Sequence, residues 1–321
     1  MIAITGALGF IGSNLVKKLN SIGITNILII DKKKISKRIE KDFKFKKYYD
    51  YKKFIKVLNS RKLNIKTIFH MGANTNTQDW NTEKILSENY FYSKNLLDIC
   101  IKKKINLIYA SSASIYGNSE FFSENFENEF PLNPYAYSKF LFDQNVRNVL
   151  LKRKIKIKIV GFRYFNVFGP GEENKGNMSS PIFKFFNQAK KNSEIKIFNN
   201  EGKFSFKSYQ RDFINIYDVV NICNWFMKKK KIKNGIYNVG TSKSVSFYKI
   251  SLMIKKYFLL KDKKIKIKKI KFPKKLKNAY QFYTCSNNKK LNDTGYNLKF
   301  TKFEKACNDY LDYLYYKNKK N

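Results

Sequence analysis

Short apolar runs alternate along the chain with stretches whose apolar residues recur at helical spacing. Ile2-Ala3-Ile4 predicts a buried strand ending in Thr5-Gly6, and Ile11, Leu15, Val16 and Leu19 then mark one face of a helix. Residues 27–31 form a second apolar strand, closed by the carboxylate of Asp31. Residues 32–53 are lysine-rich and carry no period, which predicts an irregular stretch. Residues 67–70 give a third strand that runs into Met71-Gly72-Ala73-Asn74. The spacing over 83–103 predicts one helix with Ile85, Leu86, Leu96, Leu97 and Ile101 toward the core. Residues 107–110 form a strand leading into Ser111-Ser112, Pro134 opens a helix over 134–151, and Val160-Gly161-Phe162 closes another strand. Strands alternating with helices predict an α/β fold with a Rossmann-type, doubly wound parallel sheet.

The pattern loosens after residue 165. Gly169-Pro170-Gly171 marks a turn, residues 182–191, 216–230 and 246–258 predict helices, and 235–240 a strand bounded by glycines. The lysine–isoleucine run over 261–277 reads as a strand with one solvated face, and the last residues, from 317 on, fray. This organisation predicts a dinucleotide-binding domain over 1–165 with parts of about 210–240 returning to it. A smaller α/β substrate domain takes about 166–209 and 241–321, and the active site lies in the cleft at the C-terminal ends of the strands.

Composition changes this picture little. A chain of 321 residues can bury a sizeable core. No apolar run reaches the length of a membrane span and no basic–apolar leader pattern opens the sequence, so a cytoplasmic protein with no membrane partner is expected. Cys100, Cys223, Cys285 and Cys307 form no CxxC pair and suit a reducing compartment. With His70 as the single histidine, no metal site is expected, and a Ser-His-Asp triad would have to use that one residue. The net charge is +41, yet only six of the basic residues are arginine, the side chain whose fork suits phosphate and base recognition. Lysine, isoleucine, asparagine, phenylalanine and tyrosine, all with AT-rich codons, are abundant together. The charge therefore reads as compositional bias on solvated faces, and no nucleic-acid partner is expected. A polyanion-binding surface is the competing reading.

Candidate chemistry begins at Gly6-Ala7-Leu8-Gly9-Phe10-Ile11-Gly12, a GxxGxxG loop between a strand and a helix. Gly6 allows the tight turn, Gly9 lets backbone approach a pyrophosphate, and Gly12 permits close helix–strand packing. Asp31 is then placed to bond the adenosine ribose hydroxyls of NAD, whereas Lys32, Lys33, Lys34, Lys37 and Arg38 could neutralise the 2′-phosphate of NADP. Tyr135 and Lys139 form YxxxK, with one residue a helical turn above the other. An ammonium beside a phenol favours phenolate, which can exchange a proton with a sugar hydroxyl. YxxxK occurs eight times in this tyrosine- and lysine-rich chain, so position decides: Tyr135 follows Pro134 and a strand that ends in Ser111-Ser112. Ser112 is placed to share the hydrogen bond to the reacting oxygen.

TGALGFIG, Asp31, SSASIYG, Tyr135–Lys139 and RYFNVFGPG together resemble the extended short-chain dehydrogenase/reductase (NAD-dependent epimerase/dehydratase) family, which acts on nucleotide sugars. Within it, NPYAYSKFLFDQNVR, VGFRYFNVFGPGEENKGNMSS, QRDFINIYDV and PKKLKNAYQFYT are most similar to the ADP-L-glycero-D-manno-heptose 6-epimerases of lipopolysaccharide inner-core precursor synthesis. The resemblance implies bound NADP, with NAD as the alternative, and an ADP-heptose substrate. It implies a hydride removed to give a transient ketone and returned on the other face, and a homo-oligomer, a pentamer in the best-known form. It implies Tyr135 and Lys175 as the two acid/base groups, with Lys139 and Ser112 in support. Implied cofactor contacts are Gly6, Gly9, Phe10, Ile11, Gly12, Asp31, Lys32, Arg38, Met71, Gly72, Ala73, Asn74, Thr75, Asn89, Lys139, Val167 and Lys175. Implied substrate contacts are Ser112, Asn166, Asn177, Lys184, Phe198, Asn199, Asn200, Glu201, Arg211 and Tyr280, with Arg211 suited to the diphosphate.

The chain departs from the family pattern at four of these surroundings. Met71 replaces an acidic residue and Tyr51 a lysine near the cofactor, while Lys184 replaces a histidine and Ala279 an arginine near the substrate. A UDP-hexose 4-epimerase is the alternative within the family. A 4,6-dehydratase is disfavoured because Ala113 and Ser114 stand where an acid pair is needed. A basic nucleic-acid-binding Rossmann protein without catalysis is the alternative of another class.

Overall fold

The computed structural model describes residues 1–60, 63–199, 209–273 and 280–317, apart from the side chains of Arg38 and Ile39. Asn200, Glu201, Ala279 and the side chain of Arg38, all singled out by the sequence, lie outside the described residues. In chain order the strands are β1 (Ile2–Thr5), β2 (Ile27–Asp31), β3 (Lys47–Asp50), β4 (Thr67–His70), β5 (Asn106–Ser112), β6 (Ile159–Tyr164), β7 (Asn166–Phe168), β8 (Glu194–Asn199), β9 (Gln210–Asn215), β10 (Gly235–Val239), β11 (Ser244–Ser246) and β12 (Lys266–Lys271). The helices are α1 (Phe10–Ser21), α2 (Lys37–Asp42), α3 (Tyr51–Ser60), α4 (Thr82–Ile85), α5 (Tyr92–Lys103), α6 (Pro134–Lys152), α7 (Pro181–Asn192), α8 (Ile216–Lys228), α9 (Phe247–Leu259), α10 (Lys289–Asn292) and α11 (Phe303–Lys317).

Seven strands build a central parallel sheet in the order β10-β6-β5-β4-β1-β2-β3. Ile2 of β1 pairs with Ile27 of β2 on one side and with Thr67 of β4 on the other. All residues of β1, β2, β4 and β6 are buried, as a sheet covered on both faces requires. The chain reverses direction of winding beside β1, so the loops that leave β1 and β4 emerge next to each other, at the switch point where such sheets bind ligands. This is the predicted Rossmann-type architecture.

Local departures have identifiable causes. Residues 32–53, expected to be irregular, contain α2, β3 and the start of α3. β3 is the edge strand of the sheet and its residues are exposed or half-buried, so it carries no apolar alternation to read. The single helix expected over 83–103 is interrupted by a π-helical turn at Leu86–Phe91. That wider turn directs Asn89 inward, where it is buried, while Leu86 and Ile101 are only half-buried. β7, β8, β9, β11 and α11 were not foreseen.

Two compact units emerge. The first comprises residues 1–115, 133–163 and 219–237; the second comprises 116–132, 164–218 and 238–321. The first has a core in which Ala3, Leu28, Ile68, Leu107, Phe142 and Ile159 pack together. In the second, Phe168, Phe186, Ile195, Phe213, Ile250 and Leu311 share another core. There β9 pairs with β7 in parallel and with β11 antiparallel, and β8 pairs with β12. Buried Asp212 on β9 holds this unit's loops: its carboxylate accepts from the amides of Thr241, Ser242 and Ser286 at 2.7, 3.0 and 2.9 Å.

Two buried polar groups fix the first unit. Asp143 on α6 and Arg163 on β6 are both 0% exposed and lie 2.9 Å apart, Nε to Oδ2. Asp143 also accepts from Ser111 Oγ at Oδ2 and from Tyr109 OH at Oδ1, each at 2.9 Å. His70, buried at the end of β4, lies 2.6 Å from Thr5 Oγ1 through Nδ1 and 2.8 Å from Ser93 Oγ through Nε2. Its ring serves β1 and α5 and is not a triad base. Ser93 donates to the Asn89 carbonyl and Thr5 Oγ1 accepts from the Gly72 amide. These directions assign Nε2–H as donor and Nδ1 as acceptor in a neutral ring. Burial, with the charge of Lys139, lowers the His70 pKa to about 3.

Two outcomes follow for stability. Asp143→Ala strands a buried guanidinium and is expected to cost about 3–5 kcal/mol, whereas Asp143→Leu combined with Arg163→Met costs far less; urea unfolding of both variants checks this. The unfolded chain protonates His70 near its ordinary pKa and the folded chain does not, so acidification favours unfolding. Between about pH 7.5 and about pH 5 this removes about 2 kcal/mol. His70→Asn is expected to flatten that slope in the same unfolding experiment.

Candidate active site

The glycine loop owes its shape to backbone contacts that exclude side chains. Gly6 has φ +65°, and a Cβ on it would lie 2.5 Å from the Cα of Gly72. A Cβ on Gly12 would lie 2.0 Å from the Gly6 carbonyl oxygen. Gly9 caps α1 and contributes no side-chain cap, so the first turn of α1 that follows, Phe10 and Ile11, faces the loop with its backbone. A helix N-terminus behind a side-chain-free loop fits a dinucleotide pyrophosphate. Asp31, which the sequence assigns to the ribose, is engaged here by backbone: Oδ2 accepts from the Leu8 amide at 2.8 Å and Oδ1 from the Lys33 amide at 3.0 Å. The carboxylate thus orders the loop. Lys32 Nζ lies 2.9 Å from Glu88 Oε1.

The segment after β4 is fixed just as closely. The amides of Met71 and Gly72 donate to the Thr5 carbonyl and hydroxyl at 3.1 and 3.3 Å. Asn89 Oδ1 accepts from the Asn74 amide at 2.7 Å, and its Nδ2 donates to the Asn74 carbonyl at 2.9 Å and to Ser138 Oγ at 3.0 Å. Asn89 therefore acts as a clamp between this segment and α6. Ala73 in the segment is half-buried and Thr75 exposed.

Asn133 opens α6 by accepting the Ala136 amide at 2.9 Å, and Pro134 takes the first helical position. One turn apart, Tyr135 and Lys139 share a face. The Tyr135 hydroxyl is hydrogen-bonded to Ser112; burial raises its pKa and that bond draws it down. Ser112 Oγ also accepts from Ser114, from the amide at 3.2 Å and the hydroxyl at 2.8 Å. Lys139 is buried and donates to the Ala110 carbonyl at 2.8 Å. Burial lowers its pKa to about 8 against the pull of Asp143, one turn further along α6. Ser112 thus bonds the phenol directly, and the lysine ammonium is held by the strand that carries Ser112.

The second unit holds the other candidates. Lys175 lies in the 3₁₀ segment Glu172–Met178, just before Gly176 turns the chain with φ 54°. Glu172 is fully buried and accepts from the Ser180 amide at 2.6 Å and the Ser180 hydroxyl at 2.8 Å. Burial lowers the pKa of Lys175; Glu172 opposes the shift and Lys184 on α7 adds to it. Lys184 is lowered by burial too, again opposed by Glu172. Asn177 is exposed. Asn166 and Val167 lie half-buried on β7, and Asn199 ends β8 exposed. Arg211 on β9 is buried, donates through Nη1 to Gln281 Oε1 at 2.9 Å, and lies 5.2 Å over the Tyr280 ring. Its Nε is a buried donor without a partner among the described residues. Phe198 completes an aromatic group with Phe272 and Tyr280, at 5.0 and 6.5 Å between ring centroids.

Sequence reasoning gave no role in this site to Asp143, Glu172, Glu88 or Ser114. Asp143 was within reach, since it stands four residues after Lys139; the others become visible only through tertiary placement. Among the described residues no three His, Cys, Asp or Glu side chains gather as a metal site, and no helix is long and apolar enough to cross a membrane.

The model of the NAD dependent epimerase/dehydratase family matches residues 2–240. The ADP-L-glycero-D-manno-heptose-6-epimerase of Brachyspira hyodysenteriae is 41% identical over 322 residues, covering 98% of each chain. The crystal structure of Helicobacter pylori ADP-L-glycero-D-manno-heptose-6-epimerase superposes with a TM-score of 0.81 at 29% identity, covering 98% of this chain and 96% of that one. Thermus thermophilus UDP-glucose 4-epimerase in complex with NAD shares the fold, with a TM-score of 0.77 at 21% identity over 97% of both chains. The chain belongs to the NAD dependent epimerase/dehydratase family.

Proposed function

We propose that the protein is an isomerase that epimerises ADP-D-glycero-D-manno-heptose to ADP-L-glycero-D-manno-heptose at C6 of the heptose. The observation that carries this reading is the 41% identity along 98% of the chain to a relative of that activity. The Ser112–Tyr135 hydrogen bond beside a buried Lys139 supports it with the chemistry the reaction needs. A UDP-hexose 4-epimerase is not favoured.

In this reading Tyr135 takes and returns the proton of the C6 hydroxyl, and Ser112 holds the same oxygen. Lys139, fixed on Ala110, orients the end of β5 and places a positive charge near the phenol. Lys175 serves as the second acid/base group. Burial and Lys184 lower its pKa, which favours the neutral amine a base requires. Arg211 receives the diphosphate, and its Nε, buried without a partner among the described residues, supports that role. Gly6–Gly12 and the 71–75 segment would hold the nicotinamide cofactor, which would supply the hydride acceptor and donor the reaction needs. We take the cofactor as NADP, with NAD as the alternative, the assembly as a homo-oligomer of pentamer type, and the compartment as the cytoplasm, where lipopolysaccharide precursors are made.

Incubation with ADP-D-glycero-D-manno-heptose, followed by NMR of the sugar, is expected to give the L-glycero epimer. Tyr135→Phe and Lys175→Met are each expected to lower kcat by about 10²–10⁴-fold while substrate still binds. No conversion by a dinucleotide-loaded protein would redirect the assignment to UDP-sugars. Arg211→Lys loses the two-pronged phosphate contact and is expected to raise KM by about tenfold with a smaller effect on kcat, read from initial rates.

A further inference from the structure

In dinucleotide-binding folds, the residues at the end of the second strand face the adenosine ribose. A carboxylate there takes the free 2′-hydroxyl of NAD, and a cation takes the 2′-phosphate of NADP. Here β2 closes on Asp31 and is followed by Lys32, Lys33 and Lys34, a run that by itself favours the phosphate.

The tertiary structure gives the first of these lysines another partner. Lys32 Nζ lies 2.9 Å from Glu88 Oε1, a residue 56 positions later on the π turn. The carboxylate is the fixed member of the pair, since its side chain is 21% exposed against 68% for Lys32. Asn74 Nδ2 holds its other oxygen at 3.1 Å, and Asn74 is itself clamped at its amide and carbonyl by Asn89. The surrounding charges are mixed. Asp31 already accepts two backbone amides, and Asp50, its register partner on β3, accepts the amides of Lys52 and Lys53. Tyr51 opens α3 alongside, and Lys33 and Lys34 are exposed.

We infer that Glu88 is a cofactor-specificity residue: its fixed carboxylate draws Lys32 away from the ribose 2′ position and repels a 2′-phosphate, which narrows the preference for NADP over NAD. The pair raises the pKa of Lys32, as a held ammonium requires. The inference rests on the family reading that the glycine loop binds a nicotinamide dinucleotide. It is independent of which sugar is the substrate.

Calorimetric titration of NADP⁺ and NAD⁺ into the full-length protein, stripped of copurifying dinucleotide, tests it without any sugar. Glu88→Gln removes the charge and keeps an oxygen for Asn74. It is expected to tighten NADP⁺ binding by about tenfold and to leave NAD⁺ within about twofold. Lys32→Met is expected to change NADP⁺ affinity by less than about twofold in the native background and to weaken it by about tenfold in the Glu88→Gln background. Unchanged NADP⁺ binding in Glu88→Gln overturns the inference. So does a parallel shift of both cofactors, which would make Glu88 only a support for Asn74. An equal Lys32→Met effect in both backgrounds also overturns it, and because it compares Lys32 variants it stands even if Glu88→Gln alters the loop. Absence of all dinucleotide binding would instead remove the family reading of the loop, and a failed sugar assay leaves every arm of this test intact.

Discussion

The first unit depends on one buried carboxylate. Asp143 accepts from Tyr109, Ser111 and Arg163, and so binds β5, β6 and α6 into one register. Two charges removed from water cost several kcal/mol each and are tolerated only when their geometry is satisfied. That demand makes the arrangement intolerant of slippage. If β5 shifted by one residue, Tyr109 and Ser111 would point to the other face and Asp143 would lose two donors. The positions of Ser112, at the end of β5, and of Tyr135 and Lys139, two turns and one turn before Asp143 on α6, follow from the same constraint.

A second set of contacts governs the loops at the switch point. Gly6 and Gly72 approach so closely that neither loop has room for a side chain there. Behind them runs a polar chain of fixed direction, from the Gly72 amide to Thr5 and His70, then from His70 through Ser93 to the Asn89 carbonyl. Asn89 passes the same order to Asn74 and to Ser138 on α6. The loop that would cradle phosphates and the helix that carries Tyr135 are thereby positioned by one connected network. A neutral imidazole at its centre keeps every donor and acceptor matched.

In the second unit the same principle operates with fewer residues. Glu172 is held by Ser180 and acts electrostatically on two lysines, Lys175 and Lys184. Burial lowers the pKa of both lysines and Glu172 opposes the shift; at Lys175 the charge of Lys184 adds to it. Arg211 stands differently. Flanked by Tyr280 and Gln281, it keeps one buried donor without a partner among the described residues.

The sequence by itself determined the strand–helix alternation, the glycine loop and the Ser112–Tyr135–Lys139 set. Each of these is written in local spacing: apolar runs for buried strands, glycines where Cβ has no room, residues four apart on one helical face. Only the tertiary structure decided what depends on distant partners. β3 was invisible because an edge strand is half-solvated and needs no apolar pattern. The π turn was invisible because a single widened turn leaves the composition of a helix unchanged. Lys32 stood as one basic residue in a lysine run until the fold brought Glu88 to it. That Asp31 also accepts the Leu8 amide, 23 residues away, is likewise decided by the fold. Charge and hydrogen-bond capacity are properties of a residue and can be read along the chain. Which partner uses them is settled by register and packing between segments far apart in sequence, and no local pattern encodes that.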